Sequence, residues 1–254
     1  MLFKNDYPIL EFDDNRMAVL DPENFKDRKF DTDKLVITFF PEVMERLIER
    51  GEIEKTQVIP GENPITLYRF SDTPDVMLTL GQLGCPACAG NMDLLRALGT
   101  RRVMFCGGGG VLDRSIEVGT VMVVEGAIRD EGFSYHYLPP SRIVYADKET
   151  NAKITRYLDA HGVPYFQGLT WTTDAIFRET PDRVARRRKE GAKIVEMEQA
   201  GCLAVAQFRQ MAYGALIYGG DDVAGEEWSD RGWRSRDGIR YDLVQLCKAL
   251  VSEI

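Results

Sequence analysis

The sequence has no apolar run close to the roughly 18–20 residues needed to cross a bilayer, and it is poor in histidine and cysteine. Its 254 residues include two histidines and five cysteines. An odd number of cysteines, lying mostly in apolar stretches, argues against a secreted disulfide scaffold. The first residues also lack the sustained apolar core of a secretory signal. We therefore expect a cytoplasmic protein with no membrane partner.

Positive charge is scarce as well, because 32 Lys and Arg stand against 40 Asp and Glu, which gives a formal net charge of −8. Surfaces that bind nucleic acid usually carry a clear basic patch. The basic run within residues 183–189 is interpreted as the solvated face of a helix. No nucleic-acid partner is expected, and any bound anion must be held by a few local donors.

Short apolar strands alternate with helical patterns through most of the chain. Residues 1–33 are polar and aperiodic, which predicts an irregular arm, and residues 34–254 form the predicted domain. The apolar run 35–40 is stopped by Pro41, and a segment with helical spacing follows it as far as Gly51. The repetition of this pattern predicts a single α/β domain with a largely parallel central sheet.

Four turns that follow strands are candidates for ligand binding, because ligands of open α/β sheets bind beyond the carboxyl ends of the strands. Two are rich in glycine, residues 81–84 and 107–110. Glycine there permits a close backbone approach to a ligand, or simply tight packing. The other two are acidic, residues 196–198 and 221–222. Such carboxylates either cap helices or act in a cleft as hydrogen-bond acceptors and general acids.

Cys85-Pro-Ala-Cys88 begins a predicted helix and matches the C-x-x-C arrangement of thiol-redox proteins. A thiol-redox function, or a non-catalytic nucleoside-binding one, is kept as an alternative. A thioredoxin-like domain is much shorter and would leave the glycine-rich and acidic turns without a purpose. Only one such pair exists and both histidines are remote from it, so no metal site is predicted.

Five segments, in order, resemble the nucleoside phosphorylase and nucleosidase superfamily, which includes uridine phosphorylase, hexameric purine nucleoside phosphorylase and methylthioadenosine nucleosidase. The strongest is Val-Glu-Met-Glu-Gln-Ala-Gly, which is similar to the family's VEMEAAG segment. The five segments lie at residues 81–86, 106–112, 127–134, 171–177 and 195–201.

The resemblance implies a three-layer α/β/α phosphorylase/hydrolase-like fold with a mixed central sheet. It implies a pentosyltransferase that cleaves the N-glycosidic bond of a purine nucleoside or uridine with phosphate, giving the free base and ribose 1-phosphate. Phosphate is then a co-substrate, and no cofactor is expected. The family's shared active sites imply a homodimer or a homohexamer.

The resemblance also assigns roles on the sugar side of the site. Glu198 and Met197 are implied to hold the ribose, and Glu196 to face the purine or the ribose edge. Asp222 is implied to protonate the leaving base, with a one-residue gap in the alignment. The reaction needs such groups, because the sugar becomes cationic while the base departs with an electron pair.

For the base, the resemblance implies that Trp171 stacks on it, with Phe177 as a second wall. Arg178 is a candidate for reading a base carbonyl. His136 either replaces the family's amino-terminal histidine, which reaches the neighbour's sugar, or simply packs.

The sequence departs from the family at the nucleophile. Phosphorylases hold phosphate with a G-D-P-x-x-R loop after the first strand, whereas residues 39–44 read Phe-Phe-Pro-Glu-Val-Met. Phe105 stands in place of the second phosphate arginine, and Gly108 in place of the hydroxyl residue. These losses favour a nucleosidase that uses water, which is the first alternative to phosphorolysis.

The remaining donors for phosphate are few. Arg69 is the counterpart of the arginine that the family supplies from a neighbouring subunit. The amides of Gly84, Gly107 and Gly108 are predicted to complete an anion site, in which the run 107–110 forms a nest. Arg129 is a further candidate cation, although a structural ion pair is its favoured role.

Overall fold

A large mixed sheet organises the computed structural model of the chain, which describes residues 4–225 and 227–254. In these residues it contains β1 (Lys34–Thr38), β2 (Ile53–Ile59), β3 (Ile65–Phe70), β4 (Val76–Leu80), β5 (Arg102–Val111), β6 (Val121–Asp130), β7 (Ile143–Tyr145), β8 (Tyr165–Thr173), β9 (Ala192–Glu196) and β10 (Ala212–Asp222).

The strands form a closed barrel and an open wing. The barrel follows the pairings β5, β10, β6, β8, β9 and back to β5, and the wing continues from β5 through β1, β4 and β3 to β2. Among the described residues five strand pairings are parallel and five are antiparallel. The mixed sheet is therefore confirmed, and its longest pairings, β5 with β10 and β6 with β8, are parallel.

Six α-helices in the described residues cover both faces of the sheet. They are α1 (Pro41–Glu49), α2 (Cys85–Ala97), α3 (Lys148–Ala160), α4 (Pro181–Lys189), α5 (Gln199–Arg209) and α6 (Asp237–Leu250). Helices α2 and α5 bury their apolar residues in one core. Helices α1, α3 and α6 bury theirs in a second core on the opposite face. Burial of apolar surface on both sides of the sheet stabilises this α/β/α arrangement.

Local sequence explains where the helices after strands begin. Pro41, Pro86 and Pro181 each occupy the first turn of a helix, where the missing N–H costs nothing. Gly84 precedes α2 with a φ of +88°, a conformation that glycine adopts without strain. The turn between β4 and α2 is therefore set by its Gly-Cys-Pro sequence.

The arm before β1 contains two short 3₁₀ helices, Pro8–Leu10 and Pro22–Arg28, and otherwise runs irregularly. It is attached to the domain by a hydrogen bond of 2.7 Å from the Arg16 guanidinium to the Phe208 carbonyl and by the Glu23–Arg96 ion pair. A cavity of about 520 Å³ lies between the arm and the helices α2 and α5. His136 lines this cavity. No helix in residues 4–225 and 227–254 is long and apolar enough to span a membrane.

Candidate functional site

The carboxyl ends of β1 and β4 lie side by side and next to the middle of β5, because Thr38 is in register with Leu80 and with Cys106. The turn that follows β4 meets the turn that follows β9. There, the Gly84 N–H donates a hydrogen bond of 2.7 Å to Glu198 Oε1. The structure therefore brings together two of the turns that the sequence singled out.

Glu198 and Glu196 form a buried pair of carboxyl groups at the start of α5, with exposed fractions of 5% and 7%. Burial raises the pKa of both, and the charge of Glu196 raises that of Glu198 further. Glu196 Oε2 accepts the backbone N–H of Glu198 and of Gln199, each at 2.6 Å. Its Oε1 accepts the Thr172 hydroxyl at 2.5 Å.

The two acids therefore differ in whether a carboxyl oxygen remains available to a ligand. Both oxygens of Glu196 are occupied by the helix start and by Thr172, which is the capping role. Glu198 Oε2 has a single long contact in the described chain, 3.3 Å from the Met197 N–H. Met197 is half-buried beside it. Glu198 is thus the better placed of the two to accept a hydrogen bond from a ligand.

The glycine run 107–110 lies inside β5 and not in a loop. Gly107, Gly108 and Gly109 are in register with residues of β10, and Gly110 pairs with Val195. A Cβ atom at Gly108 would lie 2.8 Å from the Tyr218 ring and 2.9 Å from the Trp233 ring. The predicted anion nest is therefore not formed, because these glycines serve tight packing in a paired strand.

Aromatic side chains occupy the position where the resemblance places phosphate. Phe39 packs on Phe105 with ring centroids 5.1 Å apart, and its ring fills the space beside Gly81. Phe105 is 2% exposed. The Gly84 N–H, another predicted phosphate donor, is already bonded to Glu198. This end of the site is apolar.

The candidate cations lie elsewhere. Arg69 pairs with Asp31, a residue of the arm, and is in register with Met77 near the amino end of β4, away from the Gly84 turn. A contribution of Arg69 to a neighbouring copy stays a prediction. Arg129 is 5% exposed and donates to the Ser134 hydroxyl and the Pro139 carbonyl. It organises its own loop.

The base-side residues divide into buried and exposed ones. Trp171 is 0% exposed, and its Nε1 donates to Asp130 Oδ2 at 2.9 Å. A stacking role for Trp171 does not fit this structure, because its ring belongs to the core. Phe177 is 95% exposed on a short 3₁₀ turn that also carries the exposed Arg178. These two remain accessible to a ligand.

Asp222 ends β10 and is 8% exposed. Its Oδ2 accepts the Arg114 Nε at 3.1 Å, and its Oδ1 accepts the Ala224 N–H at 2.8 Å. The adjacent Asp221 has different partners, since its Oδ2 accepts the Trp228 Nε1 at 2.7 Å. Both oxygens of Asp222 are therefore engaged within the protein.

Two further carboxyl groups were not singled out by the sequence reasoning. Glu179 is half-buried beside Phe177, and burial together with the charge of Asp221 raises its pKa to about 7. Glu42, in the first turn of α1, accepts the Arg240 Nη1 at 2.6 Å. Glu42 had a sequence signal, because it lies in the altered nucleophile loop. Glu179 had none, since only the folded chain desolvates it.

The C-x-x-C pair is not arranged for redox chemistry. Cys85 and Cys88 are 0% and 2% exposed. Burial raises the pKa of Cys85 well above its ordinary value, and the charges of nearby glutamates raise it further, which disfavours the reactive thiolate. Cys88 Sγ lies 3.8 Å from the Sγ of Cys202, a residue of α5. The thiol-redox alternative loses its structural basis.

Comparison with known proteins fixes the family. The model of the phosphorylase superfamily matches residues 33–253. The chain belongs to this superfamily. The guanosine phosphorylase of Halorubrum lacusprofundi is 24% identical over 204 residues, which cover 71% of this chain and 84% of the relative.

Solved structures of the same fold include both reaction types. The uridine phosphorylase of Vibrio fischeri aligns with a TM-score of 0.69 and 18% identity, covering 87% of this chain and 92% of that one. The 5′-methylthioadenosine/S-adenosylhomocysteine nucleosidase of Helicobacter pylori aligns with a TM-score of 0.70 and 17% identity, covering 89% and 100%. The fold of this superfamily is therefore shared by phosphorylases and nucleosidases.

Proposed function

We propose that this superfamily member is a nucleosidase, which cleaves the N-glycosidic bond of a nucleoside with water as the nucleophile. The observation that carries the proposal is the packing of Phe39, directly after β1, on Phe105, within β5. A phosphate dianion bound there would lose its hydration without gaining cations or hydrogen-bond donors, which is strongly unfavourable.

The same turn, which lacks the family's phosphate arginine, contains a carboxylate. Glu42 follows Phe39 and Phe40 directly after Pro41, and its side chain is one-third exposed. A negative charge repels phosphate, whereas it can accept a proton from an attacking water molecule. Arg240, 7% exposed, holds Glu42 Oε1, and Oε2 is left for the water. Glu42 is accordingly proposed as the general base.

On the sugar side, we assign the ribose to Glu198 and Met197. Glu198 is fixed to the β4–α2 turn through Gly84, so its carboxyl is oriented before the substrate arrives. A preoriented acceptor that gains strength as charge develops on the sugar favours the transition state. The sugar would thus lie between the Glu198 turn and the Phe39 turn, with the water on the Phe39 side.

Phosphorolysis is the second candidate. It is favoured by the curated relative from Halorubrum lacusprofundi, whose name is guanosine phosphorylase. It is also favoured by Arg69, 28% exposed, which could reach the site of a neighbouring copy in a homodimer or homohexamer. That arrangement requires Arg69 to leave Asp31, its partner within this chain.

The two reactions differ in the sugar product. The purified protein is incubated with guanosine, inosine, adenosine and uridine, with and without inorganic phosphate, and the sugar is identified. We expect free ribose at a rate that does not depend on phosphate. Ribose 1-phosphate formed only with phosphate would instead establish the second candidate. A Glu198→Ala preparation made in parallel controls for contaminating host enzymes, and no cleavage by the wild type would refute both.

A further inference from the structure

The indole of Trp233 lies on a floor of two glycines. Gly108 belongs to β5 and Gly220 to β10. A Cβ atom at Gly108 would lie 2.9 Å from the indole, and one at Gly220 would lie 3.0 Å from it. Distances this short force the packed ring or the backbone to shift. The two glycines therefore make room for the Trp233 ring.

The same indole covers a buried cation. The guanidinium carbon of Arg240 lies over the rings of Trp233 and Phe40, 5.0 Å from each centroid, and the Arg240 side chain is 7% exposed. Its Nε donates to the Tyr218 hydroxyl at 2.8 Å, and its Nη1 donates to Glu42 Oε1 at 2.6 Å. Aromatic faces stabilise a guanidinium that is removed from water. Arg240 therefore keeps its charge in an aromatic box and directs it at Glu42.

The loop after β10 holds Trp233 over this box. The Trp233 carbonyl accepts the Tyr218 hydroxyl at 3.1 Å. Directly before it, Arg231 and Gly232 have φ angles of +55° and +64°, a left-handed turn that an arginine adopts only at a cost. The Arg231 guanidinium donates to the Ile116 carbonyl at 2.8 Å and fixes this turn. The position of the indole is thus maintained by backbone and side-chain contacts together.

We propose that Trp233 selects the nucleophile, because its indole seals Arg240 from anions in solution while water still reaches Glu42. The inference rests on the proposed nucleosidase function, in which Glu42 activates the water. An accessible guanidinium attracts phosphate and forms charge-assisted hydrogen bonds with it. Trp233 is half-buried and forms the boundary between Arg240 and solvent. It is therefore a specificity-determining residue for water against phosphate.

Removal of the indole should open an anion site. In Trp233→Ala the ring over Arg240 is gone, and the floor of Gly108 and Gly220 is uncovered. Phosphate bound there either takes the place of the water and slows hydrolysis, or attacks the sugar itself. In the attack, a phosphate oxygen forms the bond to C1′, and the base leaves with the electron pair of the broken C1′–N bond. A tryptophan that only stabilises the fold would give neither effect.

Phosphate binding is measured first, because it needs no turnover. Titration calorimetry with inorganic phosphate compares the full-length wild type with its variants. We expect Trp233→Ala to bind phosphate roughly 10- to 100-fold more tightly than the wild type. Trp228→Ala, which removes the 61% exposed tryptophan of the same loop, is the matched control and should bind no better than the wild type. Adding Arg240→Met to Trp233→Ala should abolish the gain.

Kinetics gives the second readout. Cleavage of the best nucleoside by the wild type should not depend on phosphate, whereas in Trp233→Ala phosphate should change the rate or the sugar product. Trp233→Phe, which keeps an aromatic cover, should behave as the wild type. If melting shows that Trp233→Ala is unfolded, Trp233→Leu takes its place, since it retains apolar packing without a ring over the guanidinium.

Equal phosphate affinity in the wild type and the folded variant would overturn the inference. A gain that persists in the double variant with Arg240→Met would overturn it as well. Ribose 1-phosphate formed by the wild type would refute the proposed hydrolysis and the inference with it. A wild type that cleaves no nucleoside would refute the proposed function alone, because the binding comparison is made without substrate.

Discussion

The turn at the sugar side and the turn at the nucleophile side of the site are built on opposite principles. At the start of α5, Glu196 and Glu198 are both buried, and each is bonded to backbone N–H groups. Directly after β1, Phe39 packs against Phe105 of β5. The turn at the start of α5 keeps two carboxyl groups buried, which is costly. The turn after β1 instead packs aromatic rings against each other.

This difference bears on the role of each turn. Buried carboxyl groups with raised pKa values are unfavourable for folding, so their presence at the sugar side favours a binding role. Apolar packing at the nucleophile side favours folding and requires no special explanation. In the sequence, the sugar side carries the segment that resembles the family, whereas the nucleophile side departs from the pattern of the phosphorylases. The predictions below test this contrast, beginning with the largest expected effect.

The sugar side should be the most sensitive part of the site. We expect Glu198→Ala to lower kcat/KM on the best nucleoside by on the order of 1000-fold, because the oriented acceptor for the ribose is lost. Steady-state kinetics measures this effect, and thermal melting checks the fold, since Gly84 loses its acceptor. Glu45→Gln, on the exposed face of α1, is the control. Retained activity in a folded Glu198→Ala would make Glu198 a helix-start residue only.

The nucleophile side should depend on its one carboxylate. Glu42→Gln keeps an oxygen for Arg240 but removes the proton acceptor, so we expect kcat to fall roughly 100-fold with little change in KM. The assay is cleavage without phosphate, and the melting temperature controls for loss of the Arg240 ion pair. An unchanged kcat would show that the water is activated elsewhere and would weaken the hydrolytic proposal.

The sequence predicted features that depend on local signals and did not predict features that depend on contacts made on folding. Alternation of strands and helices, with Pro41 and Pro181 at helix starts, predicted the layered fold because these signals are local. The prediction of an anion nest at residues 107–110 was wrong, because a run of glycines in the sequence does not show whether its backbone pairs with another strand. The contacts of Gly108 with Tyr218 and Trp233 exist only after folding.

The site residues also divide into those with a local signal and those that depend on the fold. Glu198 was found through a motif. Trp171 was expected to stack on the base, but it lies in β8, and its burial depends on residues far along the chain, such as Arg187 over its ring. Glu179 was missed because its neighbour Asp221 is 42 positions away in the sequence. Groups whose chemistry arises from desolvation cannot be recognised before the fold is known.

The cost of the buried acids should be visible in stability. The pKa values of Glu179, Glu196 and Glu198 are raised in the folded chain above the usual value near 4.3 of the unfolded chain. The folded state thus binds protons more tightly, and the free energy of unfolding falls as pH rises from about 4.5 through about 8.

We expect the melting temperature to be roughly 3–10 °C lower at about pH 8 than at about pH 5, as measured by calorimetry. Glu198→Gln should flatten this dependence, because one of the three acids no longer titrates. Glu45→Gln should leave it unchanged. A melting temperature that rises over the same range would show that the acids are not raised, and would remove the energetic contrast between the two turns.

The smallest effect is expected from the cysteines that support the sugar side. Cys85 Sγ lies 3.2 Å from the Met197 carbonyl, and Cys88 packs against Cys202. Because these thiols pack and do not react, Cys88→Ala should lower the free energy of unfolding by about 1 kcal/mol and leave kcat nearly unchanged. Calorimetry and kinetics in the presence of a reductant or an oxidant measure the two quantities. If activity instead depended on the redox state of these thiols, the sugar side would carry out thiol chemistry as well. The resemblance to the family would then no longer explain why this part of the site is built as it is.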